Sequence, residues 1–210
     1  VVLVADGFEP GKDALSALIG RAQASGDFKT EAGALLSSYG ATGVATARVV
    51  LVGIGDGTAA KVRKAVLAGM AVLKGNPTRA LTLCFAQAAN ADAVCAATLA
   101  AGEAGYVYRT TKGQKKAADK KDELRLTEVL IGLPDAAPTR GAFDRAVGVA
   151  AGVELAREWA NRPANHATPT QLGDAAQALA KLPGIRCEVL GPREIAKLGM
   201  GAFQAVAQGS

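Results

Sequence analysis

The chain has 210 residues, half of them apolar, and a net charge of +5; this is enough apolar material for one large domain, or for a full domain plus part of a second. Glycine, at 25 residues, is abundant while aromatics make up only 4%, so Val, Leu, Ile and Ala must build the core, which favours α/β layering over an all-β sandwich. Three widely spaced cysteines, Cys84, Cys95 and Cys187, argue against a disulfide framework and read as reduced cytosolic thiols, and the sequence shows neither a membrane span nor a signal peptide.

In chain order, "VVLVA" (1–5) reads as a short apolar strand, and Leu15, Leu18 and Ile19 predict a helix over 13–24. "ARVVLVGIG" (47–55) is a buried strand, followed by an amphipathic helix over 58–74 through Val62, Ala65, Val66, Gly69 and Leu73. A strand at 79–86, a helix over 91–102 and a strand over 123–132 repeat the alternation. Strands interleaved with helices imply a largely parallel or mixed sheet covered on both faces. The turn-rich "GLPDAAPTRG" (132–141) marks a domain boundary, and a long helix runs from Ala142 to Asn161, with Phe143, Val147, Ala150 and Val153 on one side and Glu154, Arg157 and Glu158 on the other. Thr168, Pro169 and Gln171 fit an N-cap, a first-turn proline and a capping-box partner for a helix over 169–181. A strand over 184–191 and a short helix opened by Pro192 and Glu194 and closed by Lys197 and Gly199 complete the reading.

Chemistry-bearing patterns are sparse. Gly53, Gly55 and Gly57, between a strand and a helix, sit where phosphate-cradling loops are built, but GxGxG is neither the dinucleotide fingerprint nor a Walker loop. A tight turn needs glycine only for its φ freedom. His166 is the single histidine and "NRPANHATP" offers it no second metal ligand, while Glu154 and Glu158, flanking Arg157, read as a polar helix face rather than an acid–base pair. Residues 109–125 hold seven Lys or Arg against three acids, together with neighbouring tyrosines. That composition suits a solvated loop, with DNA binding as the alternative.

From Phe143 onward the residues resemble a known family. "LAREWANRPANHATP", "EVLGPREIAKLGMG" and "GAFQAVAQGS" occur in the order and spacing that open the catalytic domain of the cytosolic leucine aminopeptidase family. Upstream, "GDFKTEAGALLSSYGATGVATARVVLVGIGD" and "GYVYRTTK" are similar to passages of its N-terminal domain, with Thr30 and Thr111 departing from the commoner Gly and Tyr.

The resemblance implies an N-terminal macro-like α/β domain (1–137) with a mixed sheet between helices, a linker and linking helix (138–161), and the beginning of an α/β metallo-aminopeptidase catalytic domain (162–210). It also implies a cytoplasmic homohexamer that removes N-terminal residues, often leucine, from peptides. Two divalent metal ions (Zn, Mn or Mg) would activate the attacking water there by lowering its pKa and would polarise the scissile carbonyl. The family's metal-binding and catalytic residues lie in KGxxFDxGG and NTDAEGR passages, and neither occurs in residues 1–210. No catalytic, cofactor-binding or metal-binding role therefore falls on any residue of this chain, Asp56, Asp144 and Glu154 included; those residues are expected beyond Ser210. The alternative is a non-catalytic module binding DNA through the 109–125 loop or a nucleotide at the 53–57 turn.

Overall fold

The computed structural model describes residues 1–73, 78–111 and 126–208. The chain forms two compact units, Val1–Glu158 and Trp159–Ser210.

The first unit is a mixed sheet between helices. Its elements are β1 (Val2–Ala5), α1 (Ala14–Ala24), β2 (Leu35–Tyr39), β3 (Arg48–Gly55), α2 (Ala59–Ala71), β4 (Ala80–Phe85), α3 (Ala91–Gly105), β5 (Glu128–Gly132) and most of α4 (Arg140–Ala160). The strands stand in the order β2-β3-β1-β4-β5. β2 runs antiparallel to β3 with Leu36 opposite Leu51, and the other pairs are parallel, with Val2 opposite Leu51 in β3 and Cys84 in β4. Strict alternation along β3 explains its uninterrupted apolar sequence, because both faces are covered. Val49 and Leu51 pack with Val2, Val4, Ile19 and Phe28 on the α1 side. Val50, Val52 and Ile54 pack with Leu3, Val62, Val66 and Leu83 beneath α2 and α3. At 25–30 cal/mol per Å², each buried Val or Leu in these layers contributes roughly 1.5–3 kcal/mol.

Caps fix where the helices begin. Asp13 accepts from the Ser16 amide at 2.9 Å to start α1, and Asn90 accepts from the Ala93 amide at 2.8 Å to start α3. Of the predicted elements, the helix over 58–74 is observed as far as Ala71, and Lys74 lies outside the described residues. Of the strand expected over 123–132, Glu128–Gly132 is observed and residues 126–127 are not strand; residues 123–125 lie outside the described residues. The edge strand β2 is present without having been predicted.

The second unit contains a 3-10 turn at Ala164–His166, α5 (Pro169–Leu179), α6 (Pro192–Lys197) and α7 (Gly201–Ala207). The capping box of α5 forms as its sequence specifies: the Gln171 amide donates to Thr168 Oγ1 at 3.3 Å and the Thr168 amide to Gln171 Oε1 at 3.0 Å. Gly199, at φ +67°, turns the chain after α6. The strand expected over 184–191 is not one. Residues 185–191 run without a ladder partner, and a strand exists only where a neighbour takes up its N–H and C=O groups. None of the described residues of α5, α6 or α7 is buried, and Phe203 and Val206 are 59% and 80% exposed. Among the described residues, no helix is long and apolar enough to cross a membrane.

Candidate functional site

In an open α/β sheet, ligands are received where the carboxyl ends of parallel strands meet helix N-termini. Here those ends belong to β1, β3 and β4, and the helices are α2 and α3. The Gly53–Gly57 turn lies at this edge, and the structure shows what its glycines do. Residues 30–34 cross the end of β3: the Gly55 amide donates to the Thr30 carbonyl at 2.7 Å, the Gly53 amide to the Ala34 carbonyl at 2.9 Å, and the Gly33 amide to the Gly53 carbonyl at 2.9 Å. A Cβ at Gly53 would stand 2.3 Å from the Glu31 carbonyl oxygen and 2.6 Å from that of Thr30. Gly55 turns at φ +56° and directs its amide to the crossing chain rather than to a ligand. The glycines are thus required by a close backbone approach and a turn, and the nucleotide-binding alternative finds no support in them.

Side chains finish the same edge. The Ala5 amide donates to Gln87 Oε1 at 2.9 Å, Gln87 Nε2 donates to the Asp6 carbonyl at 3.3 Å, and Thr30 Oγ1 donates to Asp6 Oδ1 at 2.5 Å. Asp56 accepts from the Thr58 amide at 3.1 Å and from Lys61 Nζ at 2.9 Å. The Lys61 hydrogen bond, with the Thr58 amide second, holds the Asp56 carboxyl below its usual value. A cavity of about 100 Å³ remains between Phe85, Asn90 and Ala93, too small for a nucleotide. Nothing in the sequence pattern singled out Asp6 or Gln87, and Thr30 stood out only as a departure from the family's commoner Gly, because these residues bridge segments that only the tertiary fold brings together.

The other residues weighed from sequence are dispersed. His166 ends an exposed 3-10 turn in the second unit. Asp144 accepts from Arg140 Nε one helical turn away, at 3.0 Å. Glu154 lines two open grooves beside α4, one of about 480 Å³ walled by α3, α4 and residues 126–131, the other of about 400 Å³ between α3 and α4. Glu158 and Arg157 are half-buried and engage Tyr106 at the end of α3. Of the basic 109–125 loop, residues 112–125 lie outside the described residues. Among the described residues, no group of three or more His, Cys, Asp or Glu could hold a metal ion. The donor set for a two-metal centre is not found in them.

Comparison with known proteins identifies the material. Residues 5–115 match the model of the cytosol aminopeptidase family, N-terminal domain, and residues 154–210 match that of the same family's catalytic domain. Over 210 residues the chain is 50% identical to the probable cytosol aminopeptidase of Verminephrobacter eiseniae (strain EF01-2), covering all of this chain and 39% of that protein. It is 46% identical to that of Albidiferax ferrireducens, covering all of this chain and 43% of the relative. The chain thus spans about two-fifths of the length of these relatives. Among solved structures, a mutant of tomato leucine aminopeptidase superposes with a TM-score of 0.70 at 20% identity, over 98% of this chain and 44% of that one. The bottromycin maturation enzyme BotP in complex with Mn does so with a TM-score of 0.68 at 24% identity, over 94% and 40%. Both share the fold. With both family models aligned along it in order, the chain belongs to the cytosol aminopeptidase family, contributing its N-terminal domain and the opening of its catalytic domain.

Proposed function

We propose that the intact protein is a metal-dependent, leucyl-type aminopeptidase of the cytoplasm, assembled as a homohexamer, and that residues 1–210 are its architectural part. In this reading 1–137 form the N-terminal domain, 138–161 the linker and linking helix, and 162–210 the start of the catalytic domain. On this reading the catalytic and metal-binding residues lie outside residues 1–210, and two divalent ions (Zn, Mn or Mg) bound by them would supply an activated water and a polarised carbonyl. The observation that carries this reading is continuous identity of 46–50% with probable cytosol aminopeptidases along all 210 residues. The solved neighbour BotP in complex with Mn is consistent with a divalent ion in the same fold.

The N-terminal unit makes a rigid platform through its two-sided core, and the second unit presents exposed apolar side chains suited to further catalytic-domain layers. The test is hydrolysis of Leu-p-nitroanilide by the intact protein. Turnover that disappears on chelation and returns with Zn, Mn or Mg is expected. Turnover unaffected by exhaustive chelation, or none with any of the three metals, would contradict the assignment.

A further inference from the structure

The C-terminal half of α4 is poorly secured by packing. Only Ala142 and Ala146 of this 21-residue helix are buried, both near its start. Val149 and Val153 are 53% and 47% exposed, and a Cβ placed on Gly148 or Gly152 would touch nothing within 4 Å. Two glycines inside a helix lower its intrinsic stability, since each frees backbone entropy in the unfolded chain. A groove of about 400 Å³ runs between this part of α4 and α3. Apart from the close approach of Ala150 to Gly102, the described contacts that hold the last turns are polar.

Those polar contacts converge on two adjacent residues. The Arg157 guanidinium lies 4.4 Å over the Tyr106 ring and donates through Nη1 to the Glu103 carbonyl at 3.4 Å. That carbonyl belongs to the last turn of α3, where helical acceptors lack intrahelical partners and a cation is favoured by the helix dipole. Glu158 accepts from the Tyr106 hydroxyl at 3.3 Å through Oε2 and from Thr110 Oγ1 through Oε1. One carboxylate therefore ties the end of α4 both to the cap of α3 and to the chain that follows it. Arg63 of α2 pairs with Glu103 at 2.6 Å, extending the network into the body of the unit.

The geometry points to Arg157 and Glu158 as a latch, a local conformational device that fastens the C-terminal half of α4 and the 106–110 segment to α3, so that the two open together while the sheet stays closed. A set of contacts shared by two segments makes them one cooperative opening unit.

Amide hydrogen exchange on the intact protein tests it. In Arg157→Ala and Glu158→Ala, amides of 147–158 and of 106–111 are both expected to exchange about tenfold faster or more, the ratio for losing a hydrogen bond to a charged group. The β3 amides of 49–54 are expected to be unchanged. In Glu158→Gln, whose neutral amide can still bond both hydroxyls, exchange is expected to accelerate clearly less than in Glu158→Ala. The latch is overturned if 147–158 exchange at the original rate, if they accelerate without 106–111, or if the β3 amides accelerate alongside them. Loss of protection in Glu158→Gln equal to that in Glu158→Ala would also overturn it, since the hydrogen bonds would then not be what holds the helix.

Discussion

Gly53 lies in β3 where residues 30–34 cross the strand, and the space a methyl would need holds the carbonyl oxygens of Thr30 and Glu31. Because both obstructing atoms are backbone, Gly53→Ala should cost at least the roughly 1–3 kcal/mol typical of overpacking, seen as a lowered urea midpoint. An unchanged midpoint would mean that the crossing segment is not seated as described. Asn90 opens α3 through its bond to the Ala93 amide, so Asn90→Ala should destabilise by about 0.5–2 kcal/mol and Asn90→Ser by far less. Asp56 gives a pH signature. Its carboxyl is held below its usual value, chiefly by Lys61, so its contribution to stability is present above pH 3.8 and is lost as pH falls through the lower folded value. Asp56→Asn should therefore narrow, slightly for so exposed a group, the loss of urea midpoint seen on acidification. An identical acid limb in the two proteins would remove Asp56 from that role.

Elements were legible in proportion to how local their causes are. The capping box at Thr168 and Gln171 and the cap at Asp13 are written in a few residues, and both helices start where those residues say. β2 escaped notice because "LLSSY" puts only Leu36 and Ser38 inward, and its edge position lets Leu35 and Tyr39 stand in solvent. Such a strand is defined by its register with β3, not by its own pattern. Residues 184–191 show the converse: a strand-like sequence forms no strand when no neighbour supplies a ladder. In α4 the apolar spacing predicted a packed face through Val147 and Val153, yet both are more than two-fifths exposed. Since nothing stands near Gly148 and Gly152, Gly148→Ala and Gly152→Ala should each raise the stability of the 210-residue chain by about 0.5–1 kcal/mol, read by thermal melting. A fall in melting temperature would show that the small residues are needed for a close approach.

At the scale of the whole molecule, the alternation of strands and helices and the two-sided apolar run of β3 were enough to read the mixed α/β sheet. The family was legible in three short passages after residue 154, whose order and spacing match those that open the family's catalytic domain. A catalytic site could not be read in the same way. Among the described residues no group of three or more His, Cys, Asp or Glu could hold a metal ion, and Asp56, Asp144 and Glu103 sit in separate ion pairs with Lys61, Arg140 and Arg63. The second unit exposes apolar side chains, Phe203 and Val206 among them.

The most direct measurement compares purified residues 1–210 with the intact protein in hydrolysis of Leu-p-nitroanilide, each supplied with Zn, Mn or Mg. Turnover by the intact protein and none by residues 1–210 is expected, with no metal retained by the shorter chain. Metal-dependent turnover by residues 1–210 alone would contradict the claim that they build the enzyme's frame and that its chemistry lies beyond them.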